Sequence, residues 1–310
     1  DGRVEREINN RDVDMRISIL PTVFGEKVVI RLLDRNSFMM SKEDLGFTKN
    51  NLQLFDNIVK SPNGIILLTG PTGSGKSTTL YTVLNDLNRE DKNIVTVEDP
   101  VEYSLDGVTQ VQVNPKADLT FASGLRSILR QDPDIIMIGE IRDVETVNIA
   151  IRAAITGHLV LSTLHTNDTA STINRLLNMD VDRYLIASSV VGIVAQRLVK
   201  KICPYCKEET PINSVDAKLL NVEPGTTIYE GKGCKKCDQN GTLGRTAVHE
   251  VMPITREIRD MINNENSIDD IKDRAVSDGM TTLYDTCRAL VLEGKIPLSE
   301  MMKITYSLDI

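Results

Sequence analysis

The sequence predicts an α/β fold centred on a doubly wound parallel sheet, and three observations lead there. Gly64–Thr69, Ile94–Val97, Ile135–Ile138 and Leu159–Leu164 are near-continuous apolar runs, the pattern of strands buried on both faces. Helix-patterned stretches near 76–89, 120–131, 143–155 and 168–179 alternate with those runs, as in a sheet built from parallel crossovers. The first run leads straight into Gly70-Pro71-Thr72-Gly73-Ser74-Gly75-Lys76-Ser77, which satisfies G-x-x-x-x-G-K-[ST] where a strand gives way to a helix.

Length and composition bound the rest. The 310 residues suffice for about two domains with cores of their own. Hydrophobic residues make up 41% and charged residues 26%, as in soluble globular proteins. No apolar run nears the roughly 20 residues of a spanning helix, so no direct membrane insertion is expected. The N-terminus is polar, without a signal peptide or initiator Met. Its first residues read as mid-strand, and a truncated chain is expected. A net charge of −8 weighs against nucleic acid, whose binding is driven by phosphate neutralisation. The sequence also has no Trp and only 4% aromatic residues, with no basic-aromatic tract on which bases could stack. Five cysteines are too few for a disulfide scaffold at this length, which places the chain in the cytoplasm.

In chain order, residues 1–40 read as the C-terminal part of a small α+β domain. Met15–Ile19 and Lys27–Leu32 alternate about a turn near Pro21 and Gly25. Residues 41–60 form a linker with an amphipathic helix near Leu52, Leu54, Phe55 and Ile58. Residues 61–202 are the phosphate-loop core, 203–240 a cysteine-bearing insert, and 241–310 a helical region punctuated by Gly279, Gly294 and Pro297. No internal repeat is present.

The phosphate loop needs these residue types. Its glycines let successive N–H groups curl toward phosphate oxygens. The helix opening at Lys76, Ser77 and Thr78 adds a favourable N-terminal dipole. Lys76 sets positive charge against the outer phosphates, and Ser77 offers a hydroxyl to Mg²⁺. ATP or ADP is therefore the expected ligand, a bare glycine turn the alternative. Asp134–Glu140 is an apolar strand ending in an acid, with Gly139 where an Asp is usual, leaving Glu140 to hold Mg²⁺ through water. An acid capping the next helix is the alternative there. Any of Glu98, Asp99 and Glu102 could take a proton from an attacking water, or lie in a solvated turn at Pro100.

His158 and His165 bracket one strand at a spacing of seven, which puts them on opposite faces of a regular strand. His165, at the C-terminal end where open α/β sheets bind ligands, is the better placed, and His158 reads as structural. Cys203-Pro204-Tyr205-Cys206 and Cys234-Lys235-Lys236-Cys237 are two knuckle pairs separated by 27 residues, room for a hairpin. Four thiolates suit a structural, tetrahedral Zn²⁺; two disulfides are the alternative. Cys287 reads as a buried apolar residue of a C-terminal helix.

Together these motifs resemble the secretion ATPases of type II secretion and type IV pilus assembly, and the resemblance spans nearly all 310 residues. Its landmarks are Arg16-Ile17-Ser18-Ile19-Leu20-Pro21-Thr22, the phosphate loop, Thr96 to Tyr103, Leu129 to Asp134, Gly139-Glu140-Ile141-Arg142-Asp143, and Thr156-Gly157-His158 through Asn167. The resemblance implies a RecA-like core behind a PAS-like N-terminal portion. It makes Glu102 the catalytic glutamate, renders Gly139 normal, and brings both histidines into one motif. It points Arg16 and Arg31 at the nucleotide in a closed state, with Arg130 and Arg245 also lining the site. It further implies a homo-hexameric ring, cytoplasmic and peripheral to the inner membrane. Domain motion in that ring is passed to an inner-membrane platform protein, so that pilins are added or lifted. Domains further N-terminal recruit the ring in the family, and this chain is expected to lack them. The four-cysteine module resembles assembly motors rather than retraction motors. Ala247 and His249 stand where the family more often has Gly and an aromatic. A nucleic-acid translocase or helicase on the same core is the rival reading.

Overall fold

The computed structural model describes residues 2–8, 11–34 and 40–308. Strands β1 (Gly2–Ile8), β2 (Arg11–Thr22) and β3 (Gly25–Asp34) form a three-stranded antiparallel sheet in that order. Arg16 lies directly opposite Arg31, so both side chains leave the sheet on one face. Residues 35–39, where the N-terminal portion was expected to end, lie outside the described residues. Helix α1 (Lys49–Val59) begins where the Thr48 hydroxyl accepts the Asn51 N–H, and it buries Phe55, Ile58 and Val59.

The core then alternates: β4 (Gly64–Thr69), α2 (Lys76–Leu87), β5 (Ile94–Glu98), β6 (Thr109–Gln112), α3 (Phe121–Ile128), β7 (Ile135–Ile138), α4 (Val144–Ile155), β8 (Leu159–Leu164), α5 (Thr169–Leu177), α6 (Arg183–Ser189) and β9 (Val190–Ile202). The cysteine-bearing segment supplies an antiparallel pair, β10 (Lys207–Pro211) and β11 (Thr227–Gly231), around α7 (Ser214–Leu220). Strand β12 (Thr242–Pro253) and helices α8 (Arg256–Asn263), α9 (Ile268–Ser277), α10 (Leu283–Leu292) and α11 (Leu298–Leu308) complete the chain. The main sheet has seven strands in the order β12-β9-β4-β8-β7-β5-β6. All its pairs are parallel except β12 with β9.

Strand β4 shows why an unbroken apolar run suits this place. Ile65 and Leu67 enter one core with α3 to α6, while Ile66 and Leu68 enter another with α1 and α2. Side chains alternate across a strand, so both sets must be apolar when both faces are covered. A third core joins β9, β12, α10 and α11 to Ile212, Leu220 and Ile228 of the cysteine-bearing segment.

Two elements differ from expectation. Residues 190–202 and 242–253 are long strands, so the sheet extends into a region read as helical, and 241–310 is not helical throughout. Strand β12 carries Arg245, Thr246, His249 and Glu250; the first is exposed, while the last two are buried by partners distant in sequence. His249 is fully buried. Its ring stacks on Phe47 with centroids 3.6 Å apart and planes 12° from parallel, and Phe47 stacks in turn on Phe55. His249 thereby does an aromatic's packing, and burial lowers its pKa to about 3, so the ring is neutral.

Candidate active site

The phosphate loop lies at the C-terminal edge of β4, where α2 begins. Gly70, Gly73 and Gly75 have φ of 147°, 77° and 91°, values that side chains with a Cβ avoid. Space is also restricted: a Cβ on Gly75 would come 2.7 Å from Gln196 Nε2, and one on Gly70 would come 2.8 Å from Ser74 Oγ. Lys76 Nζ donates to the carbonyls of Gly70 (2.6 Å) and Pro71 (3.2 Å). Burial lowers the Lys76 pKa to about 8; the Glu140 charge opposes this and the Arg197 charge adds to it. Ser74 Oγ is buried with no hydrogen-bond partner among the described residues. A loop whose curvature, cation and spare hydroxyl all face inward fits an anionic phosphate chain.

The loop forms one wall of a cleft of about 880 Å³, to which Thr72 through Thr78 contribute. Glu98, Asp99 and Glu102 line it from the end of β5 and the turn beyond, Glu140 from the end of β7, and His165 from the end of β8. Arg31 enters from β3 and Arg245 from β12. Glu98, Glu140 and His165 converge because parallel strands deliver their C-terminal ends to one edge of the sheet, whereas Arg245 comes from the start of the antiparallel β12 and Arg31 from the separate N-terminal sheet.

The acidic side chains differ in their surroundings. Glu98 is buried and accepts from the Tyr81 hydroxyl, from Thr96 Oγ1 at 2.5 Å and from Gln110 Nε2 at 3.1 Å. The Tyr81 hydroxyl also accepts the Glu102 N–H at 3.2 Å, so one phenol anchors both ends of the stretch. Burial and the Glu98 charge push its pKa well above the usual range, which keeps it a donor. The Glu102 carboxylate reaches away from this cluster and pairs with Arg16 of β2. Glu140 pairs with Arg142 and lies 3.5 Å from His165 Nε2. Burial raises the Glu140 pKa, yet Arg142 and His165 together hold it below the ordinary value. Ser77 and Glu140 share the cleft, so a magnesium ion would have both a hydroxyl and a carboxylate within its walls.

Two residues lie elsewhere. Arg130 does not line the cleft: past the end of α3, it is exposed and donates to the Arg126 carbonyl at 2.8 Å. His158 precedes β8, at the far end of that strand from His165, with Nδ1 2.8 Å from the Ala153 carbonyl. Sequence reasoning passed over Tyr81, Gln110, Arg142, Gln196 and Arg197, all polar and bound around the loop or its acids. A buried helix Tyr five residues beyond Lys76 was the signal available for the first of these.

The four cysteines form a separate cluster, their sulfurs within 4.8 Å of one another. Cys203 and Cys234 sulfurs lie 3.9 Å apart, Cys206 and Cys237 3.8 Å, and Cys234 and Cys237 3.7 Å. Bonds of about 2.3 Å to one tetrahedral ion place sulfurs about 3.8 Å apart, whereas a disulfide needs about 2.0 Å. The set fits a single four-thiolate metal. Cys287 is apart from it, buried in α10.

Comparison with known proteins gives the family. The family model for Type II/IV secretion system protein matches residues 1–303. Type II secretion system protein E of Pseudomonas aeruginosa is 46% identical over 307 residues, covering 98% of this chain and 61% of that protein. Type II secretion system ATPase E of Vibrio cholerae is 45% identical over 308 residues, with the same two coverages. The chain thus spans about three-fifths of the length of these curated relatives. Among solved structures, the pilus retraction motor PilT with bound ADP aligns with a TM-score of 0.70 at 27% identity, over 98% of this chain and 77% of that one. The Legionella pneumophila ATPase DotB, at 22% identity and a TM-score of 0.70 over 99% and 77%, shares the fold. The chain belongs to the type II/IV secretion system protein family.

Proposed function

We propose that this member of the type II/IV secretion system protein family is the ATP-hydrolysing motor portion of a type II secretion or type IV pilus assembly machine. The observation that carries the reading is the convergence of the phosphate loop, Glu102, Glu140, His165, Arg31 and Arg245 on one cleft. All but His165, which lies against Glu140, are given a direct part in phosphoryl transfer to water. Lys76 and the loop N–H groups hold the phosphates. Ser77 and Glu140 hold Mg²⁺, which neutralises phosphate charge when bound. Glu102 takes the proton of the attacking water, and Arg31 and Arg245 face the charge that develops. The chain acts as a homo-hexamer in the cytoplasm, held at the inner membrane by its platform partner, without nucleic acid. No described helix is long and apolar enough to cross a membrane. The test is phosphate release from MgATP by purified protein, followed with oligomeric state and with DNA added at low salt. Turnover that rises with hexamer and ignores DNA is expected; no turnover by hexamer, or turnover that needs DNA, overturns the reading.

Arg16 links the N-terminal sheet to chemistry through its pairing with Glu102. Arg16→Ala is expected to lower turnover at least tenfold, a modest fraction of what a finger arginine can contribute. Nucleotide binding should stay within about twofold, because the phosphate loop is untouched. Arg31→Ala should behave similarly. Unchanged rates in both variants would leave these as surface arginines.

Zinc is the second component of the proposal: one Zn²⁺ per chain on Cys203, Cys206, Cys234 and Cys237. A full thiolate shell leaves no open position for water, so the ion is structural. Cys203→Ser should lower metal content and protease resistance across 203–240, and α10 and α11 should loosen because they share a core with that segment. Nucleotide affinity should hold. Metal analysis finding nothing after zinc reconstitution, with all five thiols titrating in native protein, rejects the assignment.

A further inference from the structure

Gln196 lies beneath the phosphate loop, on β9, 2% exposed. Its amide is used at both ends. Nε2 donates to the Ser74 carbonyl at 2.9 Å, and Oε1 accepts from Thr79 Oγ1 at 2.8 Å. The orientation of the amide is determined, since a backbone carbonyl only accepts and the Ser74 side must therefore be the NH₂. Arg197, next along the strand, extends the seat: its guanidinium donates to the Gln196 carbonyl at 3.1 Å and to the Asn167 carbonyl at 2.7 Å.

The bond to Ser74 controls more than one atom. In a trans peptide the C=O of residue 74 and the N–H of residue 75 point in opposite directions. Drawing the Ser74 carbonyl down onto β9 turns the Gly75 N–H up, toward the cleft where the proposed function puts a phosphate. The bond to Thr79 ties the same amide to the first turn of α2, so loop and helix are held at one spacing. Two of the loop glycines abut this seat: a Cβ on Gly75 would come 2.7 Å from Gln196 Nε2, and one on Gly70 would strike the Gln196 carbonyl oxygen and come 3.0 Å from Arg197 Nη1.

From this geometry we propose that Gln196 is a positioning residue for nucleotide: its side-chain amide presets the phosphate loop in its anion-binding conformation. The inference rests on the ATPase reading above and names a residue that reading does not use. Gln196 touches neither substrate nor metal; it acts through the Ser74–Gly75 peptide. Glu in its place keeps the acceptor toward Thr79 but sets an oxygen against the Ser74 carbonyl. Met keeps the bulk and loses both bonds.

The experiment uses the whole chain, steady-state MgATP turnover, and binding of a fluorescent ADP analogue. Gln196→Met should raise both KM and the dissociation constant about tenfold, the scale of a lost buried hydrogen bond, with kcat within about twofold. Gln196→Glu should raise them further. Thr79→Val, which removes only the helix-side bond, should raise them less, and combining it with Gln196→Met should add nothing, because both changes break the same link. Additive effects, or a fall in kcat at unchanged KM and unchanged ADP binding, overturn the proposal. Should Gln196→Met lose its thermal transition, Thr79→Val decides: weaker ADP binding at native Tm supports the link, and unchanged binding rejects it. Wild-type protein that binds no ADP overturns the functional reading and this inference with it. Tight wild-type binding with unaltered variants overturns this inference alone.

Discussion

Replacing Lys76 by Ala is expected to abolish ATP hydrolysis and to weaken nucleotide binding by roughly tenfold to a hundredfold, the worth of one charge-assisted bond to phosphate. The loop itself should survive, because its curvature rests on glycines with positive φ and on Gln196, not on the lysine. What is lost is the one loop cation, which in the present structure donates to the Gly70 and Pro71 carbonyls. Its burial supplies a second signature. With its pKa near 8 in the unliganded protein and raised again beside phosphate, Lys76 takes up a proton as nucleotide binds. Affinity should therefore be flat below about pH 8 and fall above it, by up to about tenfold per pH unit. The Ala variant should lack that slope. Calorimetric titration with ADP between pH 7 and 9.5 measures both effects. Near wild-type turnover in the purified variant would refute the central reading, and an identical pH slope in both proteins would move the proton uptake to another group.

How much of this was legible beforehand depended on whether a residue's partners were local. Strands β4, β7 and β8 match their apolar runs residue for residue, because burial on both faces writes itself into consecutive positions. The cysteine pairs were legible for a similar reason: each ligand pair is a short local motif, and the chain needed only to bring two together. Strand β12 was not, since His249 and Glu250 read as polar and are buried by partners far away. Glu250 accepts from the Thr169 N–H and the Leu283 N–H, at the starts of two helices. No local period announces such a contact. Gln196 was missed likewise: its partner Ser74 lies 122 residues earlier. Glu98, Asp99 and Glu102, at the end of β5 and in the turn beyond, could not be ranked from composition either. Only the packing of Tyr81, Thr96 and Gln110 around Glu98 distinguishes a carboxylate occupied by donors from one that opens to the cleft.

That distinction sets the expectation for Glu102→Gln: ATP binding retained, hydrolysis reduced about a hundredfold or more, the scale of general-base catalysis. Gln has nearly the same shape and can still accept from Arg16, so the N-terminal sheet should keep its place while the proton acceptor is lost. Glu140→Gln should fail in another way. Its carboxylate lies between Arg142, His165 and the phosphate loop, so the variant should need more Mg²⁺ for half-maximal rate and recover in part as Mg²⁺ is raised. Glu98→Gln should act on the scaffold. An amide there cannot accept from three donors at once, Gln110 has no way to reverse its role without losing another bond, and the expected result is a lower Tm with turnover reduced less than in Glu102→Gln. Rates at saturating MgATP, a Mg²⁺ titration and thermal melts of the three variants separate these outcomes. Normal hydrolysis by Glu102→Gln together with a dead Glu98→Gln of native Tm would transfer the base to Glu98. The Arg16 contact would then be an ion pair between sheet and core, since an arginine clamped on a non-catalytic acid has no route to the reacting water.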